Sequence, residues 1–310
     1  MNRTINALTG DEHGALLIVI GQMHGNEPAG TQALERVFAA IANEYAQHAD
    51  FKVKGRLVGV VGNRLAAEKG VRFINFDLNR SWTNDNIALA KQERPHYSLP
   101  EWAELDELAQ LVETEIATYQ PSKTVILDIH TTSASGGIYA IPQDWNTESI
   151  ALSTQLKVPV ILKILDGVLG TALHYFNASN PAWPHRNTYS MAFECGQHTE
   201  PESVDNATSG IINCMRSLGM IAGSHVEQKH DDLLARLSKD LPPLTTIIYR
   251  HAITDADEFV MRPGYLNFQA VKKGEVLAHD RKGEVLCPED GYILMPLYQK
   301  QGSDGFFLLV

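Results

Sequence analysis

Cysteine is scarce and positive charge is in deficit. The 310 residues include only Cys195, Cys214 and Cys287, an odd number at wide spacings with no CxxC pair. That argues against both a disulfide framework and a cysteine-based zinc site. Lys and Arg total 26 against 37 Asp and Glu, a formal net charge of −11. Such a chain lacks the cationic footprint that phosphate backbones and anionic bilayers require, so neither nucleic acid nor a membrane is an expected partner. Long apolar runs are missing too. The first, ALLIVI, covers only 15–20, where a bilayer span needs roughly 18 residues. The N-terminal MNRTINALTGDEHG has no apolar core of a signal peptide, so the cytoplasm is the expected compartment. No repeat or low-complexity tract stands out. The 44% hydrophobic content is that of a globular protein rather than a disordered one.

What is present reads first as α/β. ALLIVI (15–20) is a continuous, β-branched apolar run, the pattern of a strand buried on both faces. Pro28 suits the start of a helix over 29–47. LVGVVG (57–62) and TVILDI (124–129) are further buried strands, and 136–142, 158–164 and 188–194 also read as strands. Leu105, Leu108, Val112, Ile116 and Tyr119 are spaced to share one helical face, with Pro121 as a stop. A helix is expected over 204–220. Residues 83–100 are polar and irregular, a loop that could lie over a site. Alternating strands and helices predict a parallel or mixed sheet covered by helices. Near LPPL (241–244) the character changes to short β runs separated by turns such as RPG, KKGE and EDG, which suggests a small barrel or sandwich. The expected division is 1–240 and 241–310, with a helical connector over 225–239.

The strongest chemical signal is Gly21-Gln22-Met23-His24-Gly25-Asn26-Glu27, directly after the first strand. His24 and Glu27, at i and i+3 in a turn entering a helix, can converge on one point. A catalytic zinc takes three N/O ligands and keeps a position open. His130 ends the run Leu127-Asp128-Ile129-His130 and is the third candidate; strand ends are where open α/β sheets bind ligands. Asp128, two residues earlier on the same strand face, could orient that imidazole. Glu194, in Ala192-Phe193-Glu194-Cys195-Gly196, follows an apolar run that limits its solvation, which suits a general base; an ordinary strand-end carboxylate is the equal alternative. Arg72, Asn79 and Arg80 add a cationic, planar recognition set suited to a carboxylate, although Arg72 paired with Asp77 for structural reasons reads as well.

GxHGNE, RxxxxDLNR, DxH and ExG, in this order over residues 21–196, resemble the succinylglutamate desuccinylase/aspartoacylase family. LNFQAVKKGEVLAHD resembles the small β domain of the desuccinylase branch, which extends the likeness over most of the chain. The resemblance implies a zinc carboxypeptidase-like mixed sheet flanked by helices, with a small C-terminal all-β domain. It implies one Zn2+ on His24, Glu27 and His130, Glu194 as general base and proton shuttle, and Arg72 beside the scissile carbonyl. Asn79 and Arg80 would hold a substrate carboxylate, with Asp77 and Asp128 in support. Pro184 stands at the position of a further aspartoacylase arginine, and Arg186 is the nearby residue expected to serve in substrate binding. Asp304 stands where aspartoacylases carry a tyrosine. The C-terminal run also resembles biotinyl/lipoyl barrels, but its turn Arg281-Lys282-Gly283 lacks the flanking Met or Asp, so a structural or lid role is expected rather than a carrier.

The expected function is therefore a zinc-dependent amidohydrolase cleaving a small anionic N-acyl amino acid. A metallocarboxypeptidase and a non-catalytic metal-binding relative are the alternatives. The acyl group, the amino acid and any homo-oligomer are left open.

Overall fold

The computed structural model describes residues 1–310 except 95, 144, 145 and 228 and the side chain of 231. Its described strands are β1 Thr4–Thr9, β2 Glu12–Gly21, β3 Lys54–Val61, β4 Thr124–Thr132, β5 Tyr139–Pro142, β6 Val160–Leu162, β7 Thr188–Gln197 and β8 Leu244–Ala252, then β9 Val260–Met261, β10 Gln269–Val271, β11 Val276–Asp280, β12 Gly283–Leu286, β13 Gly291–Leu294 and β14 Asp304–Leu309. The main sheet has 11 strands in the order β1-β3-β2-β4-β7-β5-β6-β8-β14-β13-β10. Its centre, β3-β2-β4-β7, is parallel, while β1 and β5 join antiparallel. A mixed sheet flanked by helices is the architecture expected from the sequence.

Alternation along the central strands explains the layers. Leu17 and Val19 of β2 point to one face, where they meet Ala33, Leu34 and Val37 of the helix Ala29–Gln47 and share a cluster with Ile211 of the helix Glu202–Ser217. Leu16, Ile18 and Ile20 point to the other, where Leu105, Leu108 and Val112 of the helix Pro100–Tyr119 cover them. Covering both faces is what makes ALLIVI apolar at every position. The helix Pro100–Tyr119 stops where Gln120 turns left-handed, with φ 53°, and donates its N–H to the Ile116 carbonyl, immediately before Pro121.

One region differs from the sequence reading. Residues 83–100 are not irregular throughout, and none of the described ones lines the site; residue 95 lies outside the described residues. Thr83 caps a helix, Asn84–Gln92, by accepting from the Asn86 N–H, and Ile87 and Ala90, three apart, are buried in the cluster with the helix Pro100–Tyr119. The remainder of that helix, Leu89 included, faces away, so one buried apolar pair sets up too little periodicity to mark a helix. The C-terminal part is β-rich, as expected. The main sheet runs across the division expected near residue 240, because β8 pairs in parallel with β6 and then carries β14, β13 and β10. A small separate sheet, β12-β11-β9, also forms there. Among the described residues no helix is long and apolar enough to cross a membrane.

Candidate functional site

β2, β4 and β7 lie side by side and parallel, so their carboxyl ends open on one edge. His24 and Glu27 sit in the turn after β2, His130 near the end of β4 and Glu194 near the end of β7, and all four side chains are buried. His130 and Glu194 are direct partners in the β4–β7 register.

The turn carrying His24 and Glu27 is tightly specified. Gln22 adopts φ 53°, and its side chain donates to the Gly25 carbonyl at 2.9 Å and accepts from the Thr31 hydroxyl at 2.9 Å. Gly25 packs so closely that a Cβ there would overlap the backbone of Ala66. Gly25→Ala should therefore destabilise the fold by about 1–3 kcal/mol, the scale of overpacking. Urea denaturation measures it, and an unchanged midpoint would contradict the close approach. Gly196 has a comparable reason. One extra residue of β7 bulges between the pairs His130–Glu194 and Thr132–Gln197, and Gly196 takes φ 137° with Ser203 against it.

Both imidazoles lie between carboxylates. His24 places Nδ1 2.9 Å from Glu27 Oε1 and Nε2 3.4 Å from Asp77 Oδ1. His130 places Nδ1 3.1 Å from Glu27 Oε2 and Nε2 2.9 Å from Asp128 Oδ2. A neutral imidazole has one N–H, so it can satisfy a carboxylate on one side only. The opposite side needs a further proton or a cation. Burial alone would raise the pKa of Glu27 and lower that of His130, but the facing charges outweigh it in each case. Glu27, beside His24 and His130, is drawn well below the usual carboxylate range, and His130, beside Asp128 and Glu27, well above the usual imidazole range. One donor atom from each of His24, Glu27 and His130 lies within 4.8 Å of the others. The buried N2O set, pulling positive charge inward, fits a divalent cation of the kind that takes imidazole and carboxylate ligands.

The cavity beside this cluster has a volume of about 100 Å³. On a scale where about 10–15 Å³ holds one water, that suits a small molecule. Arg72, Asn79, Arg80 and Glu194 line it. Arg72 donates from Nε and Nη2 to Asp77 Oδ2 at 3.0 and 2.8 Å, while its Nη1 lies 3.7 Å from Glu27. The pairing with Asp77 and a place at the cavity therefore hold together. Asn79 accepts from the Ala172 N–H at 3.0 Å, which turns its amide nitrogen towards His130 Nε2 at 3.3 Å. Glu194 has an unpartnered Oε2, and burial is the main reason its pKa is pushed up to about 8.

Arg186 is placed elsewhere. It is exposed ahead of β7, donates to the carbonyls of Ala178 and Asn180, and does not line the cavity. β7 runs from Thr188 towards Glu194, so the strand itself separates the two by roughly 20 Å, at about 3.3 Å per residue. Proximity in sequence to Pro184 carried no information about which end of the strand Arg186 occupies.

In the sequence Asp304 is marked only as a departure from a family tyrosine. It opens β14 and lines the cavity, where it accepts from Arg80 Nη2 at 2.9 Å and also from Arg250. Burial would raise its pKa, but the two guanidiniums hold it below the usual carboxylate range. Gln299, from the same C-terminal stretch, accepts from the Asn26 amide at 3.0 Å and ties that stretch to the His24–Glu27 turn. Neither residue carries a local motif that marks it.

Residues 13–180 match the family described as the succinylglutamate desuccinylase/aspartoacylase catalytic domain. That span contains every candidate named above except Glu194, Arg186, Arg250, Gln299 and Asp304. Over 70 residues the chain is 37% identical to a succinylglutamate desuccinylase of Pseudomonas putida (strain GB-1), covering 23% of this chain and 19% of that one. The matched stretch thus spans about a fifth of that relative's length. Among solved structures, a succinylglutamate desuccinylase from Vibrio cholerae superposes with TM-score 0.64 at 19% identity, covering 97% of this chain and 82% of that one. The ectoine utilization protein EutE (DoeB) from Ruegeria pomeroyi gives 0.65 at 17% identity, with 98% and 87% covered. Murine aminoacylase 3 gives 0.56 at 17%, with 96% of each chain covered. At these identities the superpositions speak for a shared fold.

Proposed function

Because the chain belongs to the succinylglutamate desuccinylase/aspartoacylase family, a family of deacylases, we propose that its cavity hydrolyses the amide bond of a small anionic N-acyl amino acid with one zinc ion. The observation that carries this reading is the convergence of His24, Glu27 and His130 at the cavity that Glu194 also lines. His24 and His130 would hold the ion through Nδ1, the nitrogens that face Glu27. Zinc, when bound, supplies a Lewis acid for the acyl carbonyl and makes water more acidic.

The remaining work belongs to the chain. Glu194 takes a proton from the attacking water and returns it to the leaving amine. Arg72, held by Asp77, keeps a fixed guanidinium towards the negative charge that develops on the carbonyl oxygen. Asp128, against His130, keeps that ring oriented. Asn79 and Arg80 stand at the cavity wall where the substrate carboxylate would lie. The small cavity, bounded on one side by residues 295–304, supports a compact amide rather than a peptide.

The test is release of free amino acid from a panel of N-acyl amino acids by protein stripped of metal and then reloaded with zinc. Activity should return with zinc and be absent without it. Equal activity in the stripped protein would end the zinc reading.

A further inference from the structure

The cavity has two unlike halves, and the unlikeness bears on which amide it takes. One half is polar and already balanced. Arg72 is committed to Asp77, and Arg80 shares Asp304 with Arg250. Glu27, Asp128 and Glu194 add further carboxylates close by. Three guanidiniums thus meet five carboxylates, so a bound divalent cation brings the group only to neutrality, and each further carboxylate on a substrate adds uncompensated negative charge. A substrate with two or three carboxylates would find too few partners there, and an unpaired carboxylate in a buried site is strongly disfavoured. Asp304 adds a specific obstacle. It occupies one arm of the Arg80 fork, which leaves that guanidinium less to offer once a first carboxylate is bound.

The other half is apolar. Ile141, Ile164, Leu165, Val168, Leu173 and Phe307 line it. All six belong to one buried cluster, so the wall is backed by core packing and does not form on demand. They come from β5, from residues 164–173 and from β14, which brings together the central sheet and its C-terminal extension. A preformed apolar wall beside a few polar groups gains by covering hydrocarbon and loses by covering a charged side chain.

Resting on the deacylase reading above, we infer that the preferred substrate carries a single carboxylate and an aliphatic or aromatic substituent seated on this wall, with Asp304 turning away a second carboxylate. Asp304 is then a specificity-determining residue and takes no part in the bond cleavage.

The experiment compares kcat/KM of the zinc-loaded protein on N-acetyl-L-leucine, N-acetyl-L-phenylalanine and N-hexanoylglycine with N-acetyl-L-aspartate and N-succinyl-L-glutamate. N-acetylglycine is the reference, and the panel varies both sides of the amide. At least one apolar substrate should exceed the reference by about tenfold or more, within the range a hydrophobic pocket achieves, and both acidic ones should fall below it. In Asp304→Asn the ratio of acidic to apolar activity should rise about tenfold. A ratio within one preparation is insensitive to partial loss of folded protein. Preference for the acidic substrates by the wild type overturns the inference, and an unchanged ratio in the variant removes Asp304 from it. If no compound is turned over, the deacylase reading fails. Thermal shifts with the same compounds then judge the cavity alone: stabilisation by N-acetyl-L-leucine but not by N-acetyl-L-aspartate supports the apolar wall, and equal shifts overturn it.

Discussion

Replacing His130 with Ala should leave the protein unable to retain zinc through dialysis. Only His24 and Glu27 would remain of the three clustered donors, both on one turn, with nothing supplied by β4. Removing a group that merely orients a ligand costs about 10–100-fold in metal affinity. Loss of a direct ligand should exceed that range. Asp128→Asn, which alters the partner of His130 but not the donor set, should fall within it. The single His130→Ala change also strands Asp128 as a buried carboxylate, and breaking such a pair costs about 3–5 kcal/mol. His130→Ala combined with Asp128→Asn avoids that penalty and keeps the metal measurement separate from loss of fold. Elemental analysis and chelator competition give the affinities. Zinc retained at wild-type level in the double variant would remove His130 from the ligand set.

Glu194→Gln should lower kcat by roughly 10²–10⁴-fold, the scale of general-base loss, while zinc content stays at the wild-type level. Gln keeps the volume and the place in β7, opposite His130, but cannot accept the proton of water. Burial pushes Glu194 up to about 8. On the proposed reading, a divalent cation on the adjacent His130 would favour the ionised form and lower that pKa, which suits a base. KM should change little, because on the proposed reading the substituted atoms would serve proton transfer rather than substrate binding. Full activity in the variant would eliminate Glu194 as the base, whereas lost zinc would make it a ligand.

Several parts of this protein are legible from neighbouring residues alone. ALLIVI has to be a strand buried on both faces, because apolar side chains at consecutive positions point to opposite sides of a sheet. The spacing of Leu105, Leu108, Val112 and Ile116 has to form one helical stripe, and those four residues are buried together. His24 with Glu27, and Asp128 with His130, are local pairs whose separations place them on one face or turn. The short helix Asn84–Gln92 and the edge strand β1 leave no such mark, because each buries too few side chains to set up a period.

Tertiary structure decided what lies far apart in the chain. Glu27 reaches His130, 103 positions away, only because β2 pairs in parallel with β4. Arg80 meets Asp304 across 224 positions because β14 is laid against the same cavity. The apolar wall is assembled from three separated segments, none of which reads as a binding element alone. Sequence by itself determined which faces are apolar and which side chains can carry the chemistry, since both follow from backbone periodicity and side-chain type. Strand order, register and the placement of β14 decided which of those side chains share a cavity, because pairing between distant strands depends on burial summed over the whole sheet and leaves no local mark.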